Sequence, residues 1–468
     1  MLPLLHFHLR TMKNITGLCF FFMMILGWSS SGQSKKWTIE ECVNYALEHN
    51  ISIKQSELDT QSAQIGKSDA IGNFLPTINA STSHSWNIGL NQNITTGLLQ
   101  NQTTQFTSAG INSGVDLYKG LQNQNRFRRA NLSIIASQYQ LTKMRDDISL
   151  NVANAFLQIL FNKENIKVQK EQLAINEKQL QRTQELVNAG SVPRGDVLDI
   201  TATVAADQQR VIAAENTLLI SKLSLAQLLQ LDAFQDFDIA EGNYDALQSE
   251  VMFQTPEAIF NKAKEERVEV KIAKTNLEIA QKDISIARGA YQPHLLGFYG
   301  FNSRISYAER PLFDASGNVI GIANPKPFFT QFSENKGHSF GVQLNIPVLN
   351  GLSARNNVAR SKVAYERSKL ALSQSELDLE RNVYTAFTDA KGAFKAYQSA
   401  QLALDARANA YNYAKERYEV GMMNAFDFNQ AQTLYANAQS EVLRTKYDYI
   451  FRTKVVEFYF GIPIIKKL

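Results

Sequence analysis

Cysteine is nearly absent from this chain of 468 residues: only Cys19 and Cys42 occur. Cys19 lies in an apolar N-terminal run, so export processing would leave Cys42 alone and exclude an internal disulfide. Proline is scarce too, 10 residues against 24 glycines, mostly grouped between periodic stretches, which leaves room for long helices. The formal net charge is only +4 and no Lys/Arg run stands out, so the footprint of a nucleic-acid-binding protein is missing. His49, His84, His294 and His338 are scattered without metal-ligand spacing, and no Gly-rich phosphate loop of Walker type occurs. The chain therefore does not read as an enzyme, no cofactor or metal site can be assembled from it, and an energy source would have to lie in a partner. Beyond the N-terminus no run of about 18 apolar residues offers a membrane-crossing helix.

The N-terminus itself has the pattern of an export signal. Lys13 precedes an apolar run over residues 18–26, and the small residues Ser29, Ser30, Ser31 and Gly32 follow. Residues 1–32 are expected to be a signal peptide, with Met1 or Met12 as the start. Cys19 sits inside the apolar core and not at its exit, so no lipoprotein cleavage site is expected. An exported chain without a later apolar helix is either soluble outside the inner membrane or embedded as a β-barrel.

What is present is a duplication. Gly120 after Leu117-Tyr118-Lys119 is echoed by Gly351 after Val348-Leu349-Asn350, and Gly190 with Asp196 by Gly421 with Asp427. Both pairs give a spacing of 231 (351 − 120 and 421 − 190). Two copies of one long unit imply a pseudo-symmetric object. Each unit opens with an amphipathic helical stretch, expected over residues 38–73 and 255–290, and each stretch runs into a proline, Pro76 and Pro293.

After the prolines the period changes to two. Ala109, Ile111, Val115 and Leu117 alternate with Gly110, Asn112, Gly114 and Asp116, and Phe340, Val342, Leu344, Ile346 and Val348 alternate with Ser339, Gly341, Gln343 and Asn345. Such alternation means strands wet on one side. In the first unit the strands are expected over 77–90 and 106–118, with a loop over 91–105; in the second, a loop is expected over 309–336. A soluble sheet with one solvated face gives this pattern, and so does a barrel with lipid outside and water inside. Four strands per chain cannot close a barrel, since even small barrels need about eight. Strands in a membrane would thus have to be shared among several chains, because open edges are not tolerated in lipid.

The long helices carry heptads. Ile166, Leu173, Leu180 and Val187 recur every seven residues, as do Val197, Val204, Val211, Leu218 and Leu225 beyond Gly190. The second unit repeats both series with Tyr397, Leu404, Tyr411 and Tyr418, then Phe428, Tyr435, Val442, Tyr449 and Val456. A seven-residue repeat marks a coiled-coil seam. The partner seam is small or polar (Asp207, Ala214, Ser221; Ala431, Ala438, Thr445), which suits a thin-walled tube. Helical pattern over residues 121–188 spans roughly 100 Å at 1.5 Å per residue. At the hairpin tips Gly190 and Gly421 suit the left-handed residue past a helix end. Asp196 and Asp427 are expected as N-caps of the returning helices, with Gln430 completing a capping-box-like pair.

This order resembles the TolC-like outer-membrane efflux protein family: signal peptide, helix, proline, strand pair, and long heptad hairpin with a Gly-x5-Asp tip, all repeated. The resemblance covers about residues 36–461. It implies a mainly α fold with a membrane β-barrel: two tandem repeats, a long antiparallel coiled-coil tunnel, and four strands per chain completing a 12-stranded barrel in a homotrimer. The domains it implies are repeats at 33–231 and 255–461, an equatorial segment at 232–254 and a tail at 462–468. The location is the outer membrane, with the helical tunnel in the periplasm. The function is a passive exit duct of a tripartite efflux or secretion system. Its partners are a periplasmic membrane-fusion adaptor, an inner-membrane RND or ABC transporter and outer-membrane lipid, without nucleic acid.

The resemblance also assigns the periplasmic entrance. The family's tip acid of the first repeat falls on Asp196, its tyrosine partner on Tyr418, and the first acid of the entrance ring on Asp427. The second ring acid falls on Gln430 and a gating arginine on Met423, so a full double ring and an arginine latch are not expected. The tips that adaptors grip fall on Gly190 and on Val420, Gly421 and Met422. A Tyr418–Asp196 tie is expected to help hold the closed state, and a ring of three Asp427 carboxylates to prefer cations. Within this reading a type I protein-secretion duct is the alternative to small-molecule efflux. A periplasmic coiled-coil adaptor or scaffold stands further off, since an adaptor needs only one hairpin and no paired strands.

Overall fold

The computed structural model describes residues 36–92, 97–232, 235–242 and 249–463. The expected signal peptide, parts of the expected equatorial segment and residues 464–468 of the expected tail lie outside the described residues. In chain order the elements begin with β1 (Lys36–Trp37), α1 (Ile39–His49), α2 (Ile51–Gly72), β2 (Thr77–Gln92) and β3 (Leu99–Lys119). The long helices α3 (Gln122–Asn188) and α4 (Arg194–Leu229) follow, then β4 (Asp238–Ile239), α5 (Pro256–Glu266) and α6 (Val268–Gly289). The chain continues with β5 (His294–Ser306), β6 (Arg310–Phe313), β7 (Val319–Ala323), α7 (Phe328–Glu334), β8 (Gly337–Asn345), α8 (Ser353–Glu419) and α9 (Ala425–Tyr459).

The stretches expected as single helices over 38–73 and 255–290 are each two. Thr38 starts α1 with a reciprocal cap, its hydroxyl accepting the Glu41 amide while the Glu41 carboxylate accepts the Thr38 amide. At Asn50 the backbone turns extended (ψ 129°), and the Asn50 side chain caps α2 through the Ser52 amide and donates to the Leu228 carbonyl. Asparagine competes for helix backbone groups in this way, which is why the helix stops there. The matching corner is Arg267, extended and buried, its guanidinium 3.8 Å from the Phe458 ring centroid and paired with Asp146 and Glu269. The buried charge is held by partners on three elements and pins the corner.

Corresponding elements match in length: α2 and α6 have 22 residues each, α3 and α8 have 67 each. The spacing between them is not constant, however. It is 217 up to the strands (255 − 38 and 289 − 72) and 231 beyond them. The extra residues fall between β5 and β8. There the loop expected over 309–336 instead contains the β6–β7 hairpin and α7.

Strands β2, β3, β5 and β8 form one antiparallel sheet in that order. β2 and β3 pair from Thr77↔Gly114 to Gln92↔Leu99, so most of the loop expected over 91–105 is strand. The register puts Ile78, Ala80, Trp86 and Ile88 on the same face as Ile111, Phe301, Phe340, Val342 and Leu344. The opposite face carries Asn79, Ser81, Ser83, Gly110, Asn112, Gly300, Asn302, Ser339 and Gly341. A bulge at Leu117 brings Asp116 and Lys119 together on that polar face, beside His294. Asp116 accepts from Lys119 and pairs with the His294 ring, each at 2.7 Å. β5 runs past the end of β8, and α7 covers the surplus. The Gln331 carboxamide pairs with both the N–H and the C=O of Ser306 at 2.9 Å, and Asn335 donates to the Arg304 carbonyl. Two side-chain amides thus stand in for a missing strand, a known protection for an open edge.

The helices continue the order of the strands. α2 packs on α3, α3 on α6 and α6 on α8, while the hairpin partners α4 and α9 lie against α3 and α8 and α9 also meets α3. Two cores sit where the short helices cross the long ones. The larger joins Cys42, Val43 and Ala46 to Val152, Phe156, Ile159, Leu225 and Leu229; the smaller joins Ile259, Ala263 and Val270 to Val383, Ala390 and Val456. Burial and the neighbouring Glu41 charge push the Cys42 thiol up to about 12, so it is a packed, inert cysteine. Away from these cores the seams differ. Val204 and Val211 are buried as the heptads require, but Gln172, Asn176, Thr183 and Asp207 are buried with them. The first hairpin is closed by polar groups: Asn176 and Arg210 both donate to the Asp207 carboxylate.

β4 is held to the long helices by charge. The Asp238 carboxylate lies 2.8 Å from both Lys163 and Lys222 ammonium groups. Burial raises the Asp238 proton affinity, but hydrogen bonds and charge from the two lysines outweigh it and hold the carboxyl below its usual range. A depressed carboxylate contributes stability above its unfolded pKa, and that contribution is lost as pH falls through the folded pKa. Asp238→Asn is therefore expected to melt below the native protein at pH 7 and to converge with it below about pH 4. Melting curves followed by helical circular dichroism check this; a constant gap across pH contradicts it.

Candidate entrance at the hairpin tips

Both long hairpins turn by the same device. Gly190 and Gly421 have φ of +75° and +77°, which glycine adopts without strain. In the first tip the Ser191 amide donates to the Leu186 carbonyl at 2.8 Å and the Gly190 amide to Val187 at 2.9 Å. In the second, Met422 donates to Arg417 at 2.8 Å and Gly421 to Tyr418 at 3.1 Å. These are paired closures of the helix C-terminus.

The returning helices start differently from the sequence expectation. Asp196 and Asp427 are not N-caps. Pro193 occupies the N-cap of α4 and makes no side-chain cap, while Asn424 caps α9 by accepting the Asp427 amide at 2.8 Å. Asp427 is the third residue of its helix, and its carboxylate accepts from the Asn424 side chain at 3.0 Å. Gln430 therefore lies one turn too late to complete a capping box. The acids still sit where a helix N-terminus favours negative charge.

A cleft of about 1220 Å³ opens between the two hairpins. Asp196, Asp199, Arg182 and Arg210 line it from the first, and Tyr418, Gly421, Met423 and Gln430 from the second. The structure thus brings together Asp196, Tyr418, Gln430 and Gly421. Asp427, Gly190, Val420 and Met422 are exposed at the tips and do not line the cleft. The expected tie between Tyr418 and Asp196 is not formed. The Tyr418 hydroxyl accepts from the Gln179 carboxamide of α3, and its ring stacks on Phe428 at 4.7 Å. The stack continues through Tyr411 to Tyr435. Gln179, Arg182 and Arg210 are not legible as site residues in the sequence, because each reads as one more polar residue on a solvated helix face. Outside the cleft, Val420, Met422 and Phe426 form an exposed apolar surface on the second tip, whereas the first tip offers Ala189-Gly190-Ser191.

A strand sheet running on into long helical hairpins is the architecture of a known family. The description "Outer membrane efflux protein" matches residues 42–230 and 259–452, and the chain belongs to that family. It is similar to the outer membrane protein TolC of Vibrio cholerae, 23% identical over 376 residues, covering 76% of this chain and 78% of that one. It is also 23% identical over 355 residues to the pyoverdine export outer membrane protein OpmQ of Pseudomonas aeruginosa, covering 73% and 67% of the two chains. Among solved structures, VceC from Vibrio cholerae superimposes with a TM-score of 0.74 at 14% identity, covering 91% of this chain and 96% of that one, a likeness of fold. The protein is an outer-membrane exit duct for efflux or secretion.

A hydrogen bond between hairpins holds their relative position, and one bond worth about 1 kcal/mol shifts an open-to-closed ratio about fivefold. Gln179→Leu and Tyr418→Phe are each expected to raise channel open probability in planar bilayers by that order, with little further gain in the double variant. Asp196→Ala is expected to leave it near the native level. The reverse ranking would return the tie to Asp196.

Proposed function

We propose that the duct is a homotrimer, in which three copies of the four-strand sheet close one twelve-stranded barrel and the helices of two tandem repeats continue as a tunnel into the periplasm. The observation that carries this is a pair of matched glycines. Gly120 packs so tightly on α6 that a Cβ there would lie 2.2 Å from the Gly289 carbonyl oxygen. The counterparts of these residues at the two spacings are Gly351 and Gly72, and each faces open space within the chain. A contact used once between the two halves is therefore left unmade at both free sides. A second copy placed by the same operation would seat its Gly72 on Gly351.

The free edges agree with this placement. β2 and β8 are the outer strands of the sheet, and α2 and α8 are the outer helices of the row that follows. α2 exposes Ile51, Leu58 and Ile65 at heptad spacing, and α8 exposes Val363, Leu370 and Leu377 likewise. If β2 of one copy joins β8 of the next, these stripes meet. The exposed apolar sheet face, with Trp86, Phe340, Val342 and Leu344, then turns outward to lipid, and the Ser/Asn/Gly face lines a wet lumen. Among the described residues no helix is long and apolar enough to cross a membrane, and the barrel reading needs none.

At the far end the tips meet the rest of the system. Val420, Met422 and Phe426 supply apolar anchors for a periplasmic adaptor that links the duct to an inner-membrane RND or ABC transporter. Asp427, exposed near the entrance, supplies a ring of carboxylates that favours cations there.

Gly72→Leu tests the assembly without touching the protomer, since nothing lies within 4 Å of the new Cβ in the chain. The variant is expected to keep native helical content but to run in detergent as monomer where the native protein runs as trimer. A Gly72→Leu trimer as stable as the native one contradicts this docking.

A further inference from the structure

We propose that Arg304 is a selectivity residue of the barrel's outer half, placing a positive charge in the lumen that favours anionic solutes on their way out. The inference rests on the trimeric barrel proposed above and concerns which charge its wall presents.

The pairing register fixes the direction. Arg304 stands opposite Ser108, and Ser108 opposite Ser83, all on the face that carries Asn79, Gly110, Asn112 and Asn302. That polar face is the inner wall of the barrel. Ionisable residues on this face of the four strands are few. Asp116, Lys119 and His294 lie together at the helical end, where the carboxylate is met by both partners at 2.7 Å and its charge is neutralised locally. Arg304 is the other one, and it makes no ion pair among the described residues.

Its position is built. The guanidinium carbon lies 4.0 Å from the Phe106 ring centroid, one strand over on the same face. An aromatic ring under a guanidinium fixes its direction while leaving the charge in solvent. The backbone beneath is fixed as well, since Asn335 holds the Arg304 carbonyl and Gln331 both backbone groups of Ser306. Arg304 follows His294 by ten residues of β5 (304 − 294), or about 33 Å along the strand. It therefore stands near the outer end of the barrel, far from the Asp427 carboxylates at the entrance.

Three such charges would act together. A twelve-stranded barrel lies between eight-stranded barrels, filled by their own side chains, and open porins of 16–18 strands. A long inward side chain thus reaches well into the lumen. Screening over about 10 Å at 0.1 M salt leaves much of that lumen within range. The duct would then hold acids at its entrance and a basic ring at its exit, each acting on a different stage of transit.

The test is the reversal potential of reconstituted channels in a KCl gradient, for the native protein and for Arg304→Ala, Arg304→Lys and Arg304→Glu. All four are first shown to assemble by their migration in detergent. The cation-to-anion permeability ratio is expected to rise at least about twofold in Arg304→Ala and further in Arg304→Glu, while Arg304→Lys stays native. An unchanged ratio in Arg304→Ala and Arg304→Glu channels of native size overturns the proposal while leaving the trimeric duct intact. Failure of the native protein to form channels overturns the duct reading, and this proposal with it.

Discussion

A strand edge cannot be left unpaired in hydrocarbon, where each unsatisfied backbone group costs several kcal/mol. This chain builds one sheet with two such edges, sixteen residues of β2 and nine of β8, both flanked by exposed apolar side chains. Where the chain can protect an edge by itself it does so: α7 and its amides cover the surplus of β5. Nothing comparable covers β2 or β8 among the described residues. The edges are instead continued by helices with exposed heptad stripes and by glycines facing open space, the features on which the proposed trimer rests.

Between the four-stranded sheet and the tips the chain is stabilised at its waist. The two cores sit where α1 and α5 cross the long helices, and the Asp238–lysine cluster fastens the inter-repeat segment beside the larger one. Below the waist, hydrophobic packing thins out. The first hairpin relies on a buried Asn176–Asp207–Arg210 network, and the second on a ladder of stacked aromatic rings. A buried polar network specifies one arrangement through directed bonds, where a close-packed apolar core does so through shape.

Much of this is legible in the residues themselves. Period two after Pro76 and Pro293 marks the strands, heptads mark the hairpins, and Gly190 and Gly421 mark the tips, because each of these is a local rule. The misses are just as local. A spacing measured on the hairpins alone conceals the longer loop between β5 and β8. Asn50 and Arg267 look like ordinary helical residues, and only their tertiary partners, Leu228 and Phe458, make them corners. Asp427 looks like a cap because the true cap, Asn424, is three residues earlier and equally suited. At the site, Tyr418 is legible but its partner is not: nothing in a run of helical glutamines marks Gln179 as the one that crosses to the other hairpin.

The central claim is that other copies complete the edges of this sheet, and covalent trapping reads it directly. In a Cys42→Ser background, Val342→Cys on β8 is combined in turn with Thr82→Cys, His84→Cys or Trp86→Cys on β2, the positions around the one that the two spacings carry over from the Ile111–Phe301 pairing (342 − 231 = 111 and 301 − 217 = 84). Val342→Cys with Gly297→Cys, its neighbour within the chain, serves as the control for oxidation. The account expects at least one of the β2 pairs to yield covalent trimer, with nothing larger, from membranes. Monomer throughout, under conditions where the control pair oxidises fully, or a ladder that runs on past three, would contradict it.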